Sequence, residues 1–184
     1  MMESTQRDGF FLETERLQFR KMNQADFPDL CKILRDEEVM TAYEGAFSNE
    51  EVQDWLDRQL RRYREDGLGL NAVLLKDTGK MIGQCGLTMQ EIPDRKVLEI
   101  GYLFRREYWH KGYATEAAKA YKQYAFSVLN AEEVCSIIRD SNTASQNVAK
   151  RNGMSVTGSF VKHYRGVDMP HLIFSVKKEY GDIR

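Results

Sequence analysis

At 184 residues, with 42% hydrophobic and 11% aromatic content, the chain can bury a sizeable core, and one folded domain over residues 1–184 is expected rather than two. A net charge of −1 with 30% charged residues gives a mixed surface, without the bias of a nucleic-acid binder. No apolar run approaches the roughly 18 residues of a membrane span, and Met1 to Asp8 lacks a signal-peptide core, so a cytoplasmic protein with no membrane partner is expected. Cys31, Cys85 and Cys135 are odd in number and widely separated, which reads as reduced core thiols. His110, His163 and His171 show no ligand spacing and no Cys or carboxylate cluster completes a site, so no metal is expected.

Residues 1–9 read as a loose tail. A strand over residues 11–21 leads to a helix at 24–36, with Asn23 and Asp26 suited to its first turn. Ser48 and Glu51 then form a capping box, and Val52, Trp55, Leu56, Leu60 and Tyr63 recur behind it at helical spacing. The basic residues Arg58, Arg61, Arg62 and Arg64 of that helix read as one solvated face. Leu70 to Lys76 and Met81 to Met89 are strands flanking the turn Asp77-Thr78-Gly79-Lys80. Val97 to Phe104 is a further strand, followed by a helix whose apolar stripe is Ala117, Ala120, Tyr121, Tyr124, Ala125 and Val128. Glu133 to Arg139 is a strand, and after it Ser141 or Asn142 suits an N-cap and Gly153 a left-handed C′ position of a short helix. A hairpin at Tyr164 to Asp168 and the apolar strand Leu172 to Val176 close the chain. The order of elements is that of an α/β protein.

Between the strand ending at Phe104 and the following helix lies Trp109-His110-Lys111-Gly112-Tyr113-Ala114-Thr115. A helix N-terminus offers amides without intrahelical acceptors and the positive end of the peptide dipoles, so this loop can seat a diphosphate. Gly112 and Ala114 let a ligand approach the backbone, and Lys111 and Thr115 can add polar contacts. An ordinary strand-to-helix connection is the competing account. Neither the Walker pattern nor the Gly-x-Gly-x-x-Gly dinucleotide fingerprint occurs, which argues against a nucleotide triphosphatase or a Rossmann dehydrogenase.

Taken in order, several segments resemble the Gcn5-related N-acetyltransferases (GNAT), and within them the ribosomal-protein N-terminal acetyltransferase branch. They are Leu12 to Arg20, Glu99-Ile100-Gly101-Tyr102, Trp109 to Ala117, Asn142-x-x-Ser145 with Gly153-Met154, and the closing hairpin. The resemblance implies a mixed, mostly antiparallel sheet, splayed between strands 4 and 5 and flanked by helices. It also implies acetyl transfer from acetyl-CoA to a primary amine. The pantetheine arm would pair with the backbone of Tyr102, Leu103 and Phe104, and the pyrophosphate would rest on the amides from His110 to Thr115. His110 departs from the branch, which prefers glycine there. The tyrosine that protonates the leaving thiolate in many members aligns with Ala149, and the branch points instead to Ser145.

Such a reaction needs a base for the amine, donors for the tetrahedral oxyanion and an acid for the thiolate. Glu99 is the candidate base, acting through water, with a solvated strand residue as its plain alternative. Asn142 is a candidate pantetheine contact or simply an N-cap, and Ser145 a candidate acid or a helix hydroxyl bonded to its own backbone. No covalent acyl-enzyme is implied, because neither Ser145 nor any cysteine has an evident base beside it. The Tyr43 to Phe47 loop and Trp55 stand where this family builds its acceptor wall. The acceptor is a peptide α-amine or a small-molecule amine. A flat groove would favour the first, and an acidic pocket would favour a small cationic amine. A non-catalytic acyl-CoA sensor and a protein with no CoA site are the competing readings, and exposed strand edges leave a homodimer open.

Overall fold

In the computed structural model, which describes residues 9–180, the expected first strand is two: β1 (Phe10–Glu13) and β2 (Leu17–Arg20) pair antiparallel. The break comes at Thr14, whose hydroxyl accepts the Leu17 N–H at 3.1 Å while its own N–H donates to the Leu17 carbonyl at 2.9 Å. This side-chain turn leaves the hydrophobic alternation largely undisturbed, so periodicity alone misses it. Of the expected tail, residues 1–8 lie outside the described residues. A capping box of Asn23 and Asp26 opens a short 3₁₀ turn, which runs into α1 (Phe27–Leu34) with Pro28 in its first turn.

The Ser48–Glu51 capping box starts α2 (Asn49–Glu65), and β3 (Gly69–Leu75), β4 (Met81–Ile92) and β5 (Arg95–Phe104) follow as a meander. Then come α3 (Tyr113–Ser127), β6 (Glu133–Arg139) and α4 (Thr143–Arg151). The hairpin of β7 (Ser155–Tyr164) and β8 (Val167–Lys177) completes the chain, turning on Arg165 and Gly166. Both turn residues have positive φ, 50° and 73°, as a two-residue primed turn requires.

The strands form one sheet in the order β1-β2-β3-β4-β5-β6-β8-β7, antiparallel throughout except between β5 and β6. Successive strand residues point to opposite faces. Leu70, Ala72 and Leu74 pack with α1 and α2, whereas Val73, Ile82, Ile100 and Phe104 pack with Ala117, Tyr121 and Ala125 of α3 and Val148 and Ala149 of α4. Tyr121 and Phe19 meet edge to face at 5.2 Å, an arrangement that adds about 1 kcal/mol to their area burial. Val128, expected on the stripe of α3, is instead 58% exposed, because the helix ends one residue before it.

β5 and β6 share a single register pair, Glu99 with Cys135, and then part. Across the opening the Ser136 hydroxyl donates to the Ile100 carbonyl at 2.9 Å, and the Ile137 N–H donates to Glu99 Oε2 at 3.2 Å. This is the splayed, helix-flanked sheet the resemblance implies. The gap falls between the fifth and sixth strands only because the N-terminal strand is divided in two.

Candidate active site

At one end of the gap the Trp109–Thr115 loop is held from the far end of the chain. Glu116, in the first turn of α3, accepts the Thr14 hydroxyl at 2.6 Å, the Arg16 N–H at 3.0 Å and the Arg16 side chain at 2.7 Å. Arg16 also donates to the Lys111 carbonyl at 2.9 Å and lies 4.3 Å from the centre of the Tyr113 ring. Partial burial pushes the Glu116 carboxyl up, but the bonds from Thr14 and Arg16 outweigh it and hold the group below the usual carboxylate range. Trp109 fastens the start of the loop by donating its ring N–H to the Phe104 carbonyl at 2.9 Å. Phe104, whose carbonyl accepts this bond, is 5% exposed in the core, while Gly101, Tyr102 and Leu103 line the cavity in the gap.

His110 and Gly112 have φ of 59° and 79°. Glycine takes this left-handed conformation without strain and histidine at a cost, which explains physically why glycine is preferred at the position His110 occupies. His110, Lys111 and Gly112 are exposed. Tyr113, Ala114 and Thr115 head α3 with amides that have no intrahelical acceptor, and the ladder begins only with the Glu116 N–H on the Gly112 carbonyl at 3.0 Å. A loop with free amides, an open glycine and a lysine fits a pyrophosphate.

Farther into the gap, side chains arrive from both faces of the sheet. Tyr102 faces α4, and its hydroxyl donates to the Ser145 carbonyl at 2.8 Å, tying β5 to the helix. Asn142 caps α4 by accepting the Ser145 N–H at 3.2 Å, and among the described residues its amide donates to no protein group. The Ser145 hydroxyl likewise makes no hydrogen bond among the described residues, so the backbone bond considered for it is absent. Glu99 alternates with Ile100 and so faces the α2 side, where burial pushes its carboxyl up to about 7. The charges of Lys162 and Arg62 and the Ile137 N–H pull in the other direction without offsetting the burial. Glu99, Asn142 and Ser145 all line one cavity of about 610 Å³.

The far wall of that cavity comes from α2, the loop before it and the β7–β8 hairpin. Tyr43, Phe47 and Trp55 pack edge to face with ring centres 5.8 to 6.3 Å apart. Trp55 serves both core and cavity: it is 9% exposed and donates to Gln84 Oε1 at 2.9 Å. At the hairpin tip Arg165 pairs with Glu51, joining β7–β8 to the start of α2, and Arg139 pairs with Glu44. The basic run of α2 is not a single solvated face. Arg61 and Arg64 point outward, but Arg58 and Arg62 line the cavity, because positions four apart share a helix face.

The acetyltransferase (GNAT) domain family matches residues 16–155. The chain belongs to the GNAT acetyltransferase family. YkkB, an uncharacterized protein of Bacillus subtilis strain 168, is 36% identical over 144 residues, 78% of this chain and 84% of its own. The p20 protein of Bacillus licheniformis, an uncharacterized N-acetyltransferase, is 32% identical over 137 residues, 73% of this chain and 76% of its own. A solved structure of RimL, a ribosomal L7/L12 α-N-protein acetyltransferase in complex with coenzyme A, matches with a TM-score of 0.75 over 91% of this chain and 97% of that one. At 14% identity that likeness speaks for the fold.

Ala149, which aligns with the tyrosine of many GNAT members, is 2% exposed in the core and carries no hydroxyl. What sequence reasoning missed are the cations Arg62 and Lys162 and the brace between Arg16 and Glu116. Lys162 could have been read from the alternation of β7, where even-numbered residues from Gly158 to Tyr164 are the shielded ones. Nothing local in the sequence signals a pairing across 100 residues. Among the described residues no group of three or more His, Cys, Asp or Glu side chains converges, and no helix is long and apolar enough to cross a membrane.

Proposed function

We propose that this GNAT domain carries the acetyl group of acetyl-CoA directly to a primary amine within a ternary complex. The observation that carries the reading is that Glu99 and Ser145 reach one cavity from opposite faces of the gap between β5 and β6. Acetyl-CoA enters along the gap, its pyrophosphate on the amides of His110 to Thr115 and its pantetheine on the Tyr102 and Leu103 backbone and the Asn142 amide. The thioester carbonyl is then presented between the two side chains.

Glu99, titrating near 7, takes the ammonium proton through water, a task for which a carboxylate at its ordinary 4.5 is too weak a base. The amine nitrogen adds to the thioester carbon. Backbone N–H groups at the opening of β5 receive the oxyanion. As the C–S bond breaks, the Ser145 hydroxyl, unbonded among the described residues, gives its proton to the leaving sulfur, while the nitrogen releases its second proton to solvent, from which Ser145 regains its own. A covalent acyl-enzyme on cysteine is disfavoured, because burial pushes the Cys85 thiol far up and raises Cys135 to about 11. A poised carboxylate also favours catalysis over a sensor that only binds acyl-CoA. We read the chain as one acetyltransferase domain acting in the cytoplasm, in keeping with its free thiols.

The test is calorimetric titration with acetyl-CoA, followed by a panel of peptide and small-molecule amines with free thiol release as the readout. Binding with amine-dependent thiol release is expected. Binding without release from any amine would return the sensor reading, and absence of binding would remove the loop assignment.

A further inference from the structure

The acceptor end of the cavity contains more positive charge than its protein partners neutralise. Arg139 is matched by Glu44 and Glu51 by Arg165, which leaves Arg58, Arg62 and Lys162 facing Asp54 and the partly protonated Glu99. Among the described residues neither Arg62 nor Lys162 has a carboxylate within ion-pair distance, and the one polar contact of the Arg62 guanidinium is the Gln59 Oε1 at 3.5 Å. A half-buried guanidinium without an anion is costly in an isolated protein, and the cost is removed when a ligand brings the missing charge. Burial, and after it the neighbouring Arg58, work against the charged form of Arg62, and the charges of Glu99 and Asp66 do not offset them. The rings of Tyr43, Phe47 and Trp55 line the same cavity, with the Arg58 guanidinium 6.0 Å from the centre of the Trp55 ring.

Resting on the transferase reading above, we infer that the acceptor is a primary amine bearing its own anionic group, carboxylate or phosphate, on an apolar body, with Arg62 and Lys162 as the groups that select it. The anion lies against Arg62 and Lys162, the apolar body against the aromatic wall, and the amine beside Glu99. This placement also serves the chemistry. Cations near an ammonium disfavour its charged form, so the wall that holds the anionic end eases loss of the amine proton at the other. It excludes the simple polyamine-like acceptor, which brings only positive charge to a positive wall.

The decisive experiment compares pairs that differ in the anion, with each rate referred to the fraction of free amine at the assay pH. L-phenylalanine is set against its amide and phosphoethanolamine against ethanolamine. For the same chemistry on a polypeptide, Ser-Asp-Phe-amide is set against Ser-Asn-Phe-amide. For each pair kcat/KM is measured by thiol release, and binding to the CoA-saturated protein is measured by calorimetry, which needs no turnover. The anionic member of at least one pair is expected to win by about tenfold or more, and which pair wins tells a small molecule from a peptide N-terminus. In Arg62→Gln and Lys162→Gln the ratio within that pair should fall toward one, and Lys162→Glu should invert it. Because both members of a pair meet the same variant, losses from altered folding or from a shifted Glu99 cancel in the ratio.

Equal rates for acid and amide, a ratio that the variants leave intact, or no binding of either member to the CoA-loaded protein would each overturn the inference while leaving acetyl-CoA binding untouched. Failure of the transferase reading shows separately, as absent acetyl-CoA binding.

Discussion

At the loop end of the gap, Thr14, Arg16 and Glu116 satisfy one another and fix the amides of Tyr113, Ala114 and Thr115, whereas farther in, Arg62, Lys162 and the Ser145 hydroxyl have no comparable partner among the described residues. The side chains of the first region are paired without a ligand. The second is completed by one. A binding site for an unvarying cofactor benefits from being assembled in advance, since little ordering is then left to oppose association. A site that must also move protons needs groups left hydrated, mismatched or strained enough to change state, and those are the ones found around Glu99.

The comparison can be broken most severely at Glu99. Glu99→Gln keeps an acceptor for the Ile137 N–H but removes the base, and kcat should fall by about 100-fold or more in the thiol-release assay. In the parent protein kcat/KM should climb with pH and level off above about 7. Stability should run the opposite way. A carboxyl whose folded pKa of about 7 exceeds its ordinary 4.5 holds its proton more tightly when folded, so raising pH between those values removes stability. Thermal unfolding should therefore show Glu99→Gln gaining on the parent at pH 8 and gaining little at pH 4. A similar gain at both would mean that the carboxylate is not disfavoured by its surroundings.

At the other end, Gly112→Trp puts a bulky side chain on a backbone with φ of 79°, over the helix N-terminus, and acetyl-CoA affinity should weaken at least about tenfold by calorimetry. Unchanged affinity would detach the cofactor from the loop. Ser145→Ala sharpens the contrast between binding and chemistry. Turnover should drop about tenfold with acetyl-CoA affinity preserved, and parental turnover would take Ser145 out of the proton path.

Smaller effects test the brace. Glu116→Ala should cost about 1 to 2 kcal/mol in urea unfolding at neutral pH, a figure kept low because the Arg16 side chain is 41% exposed. The depressed Glu116 carboxyl contributes its stability above the ordinary carboxylate pKa and loses it as pH falls through the folded one, so the gap between variant and parent should close in acid. Least in magnitude, His110→Gly should stabilise by about 1 kcal/mol or less, by removing a left-handed histidine.

Much of the local structure at the loop end was legible in the sequence, because it depends on short-range patterns. The strand to Phe104, the small residues at 112 and 114, the stripe of α3 and the Asn142 cap all lie close to their partners along the chain. The two-strand start was less legible, since the Thr14 turn is made by a side chain and leaves the alternation of Leu12, Leu17 and Phe19 in place. Of the far wall, the Tyr43 to Phe47 loop and Trp55 were legible by resemblance, but the cations were not. Arg58 and Arg62 share a helix with the outward Arg61 and Arg64, and only the placement of the β7–β8 hairpin decides which of them meet a cavity.

The brace also governs when the protein can become functional during its synthesis. Thr14 and Arg16 leave the ribosome early, yet the carboxylate they grip follows about 100 residues later. Until then β2 has only its sheet neighbours β1 and β3 to dock on, and the loop from Trp109 to Thr115 lacks its brace. Contacts this distant in sequence form late and slowly. A nascent chain can thus hold part of its sheet before this loop is braced, and the brace forms only when the N-terminal turn meets α3.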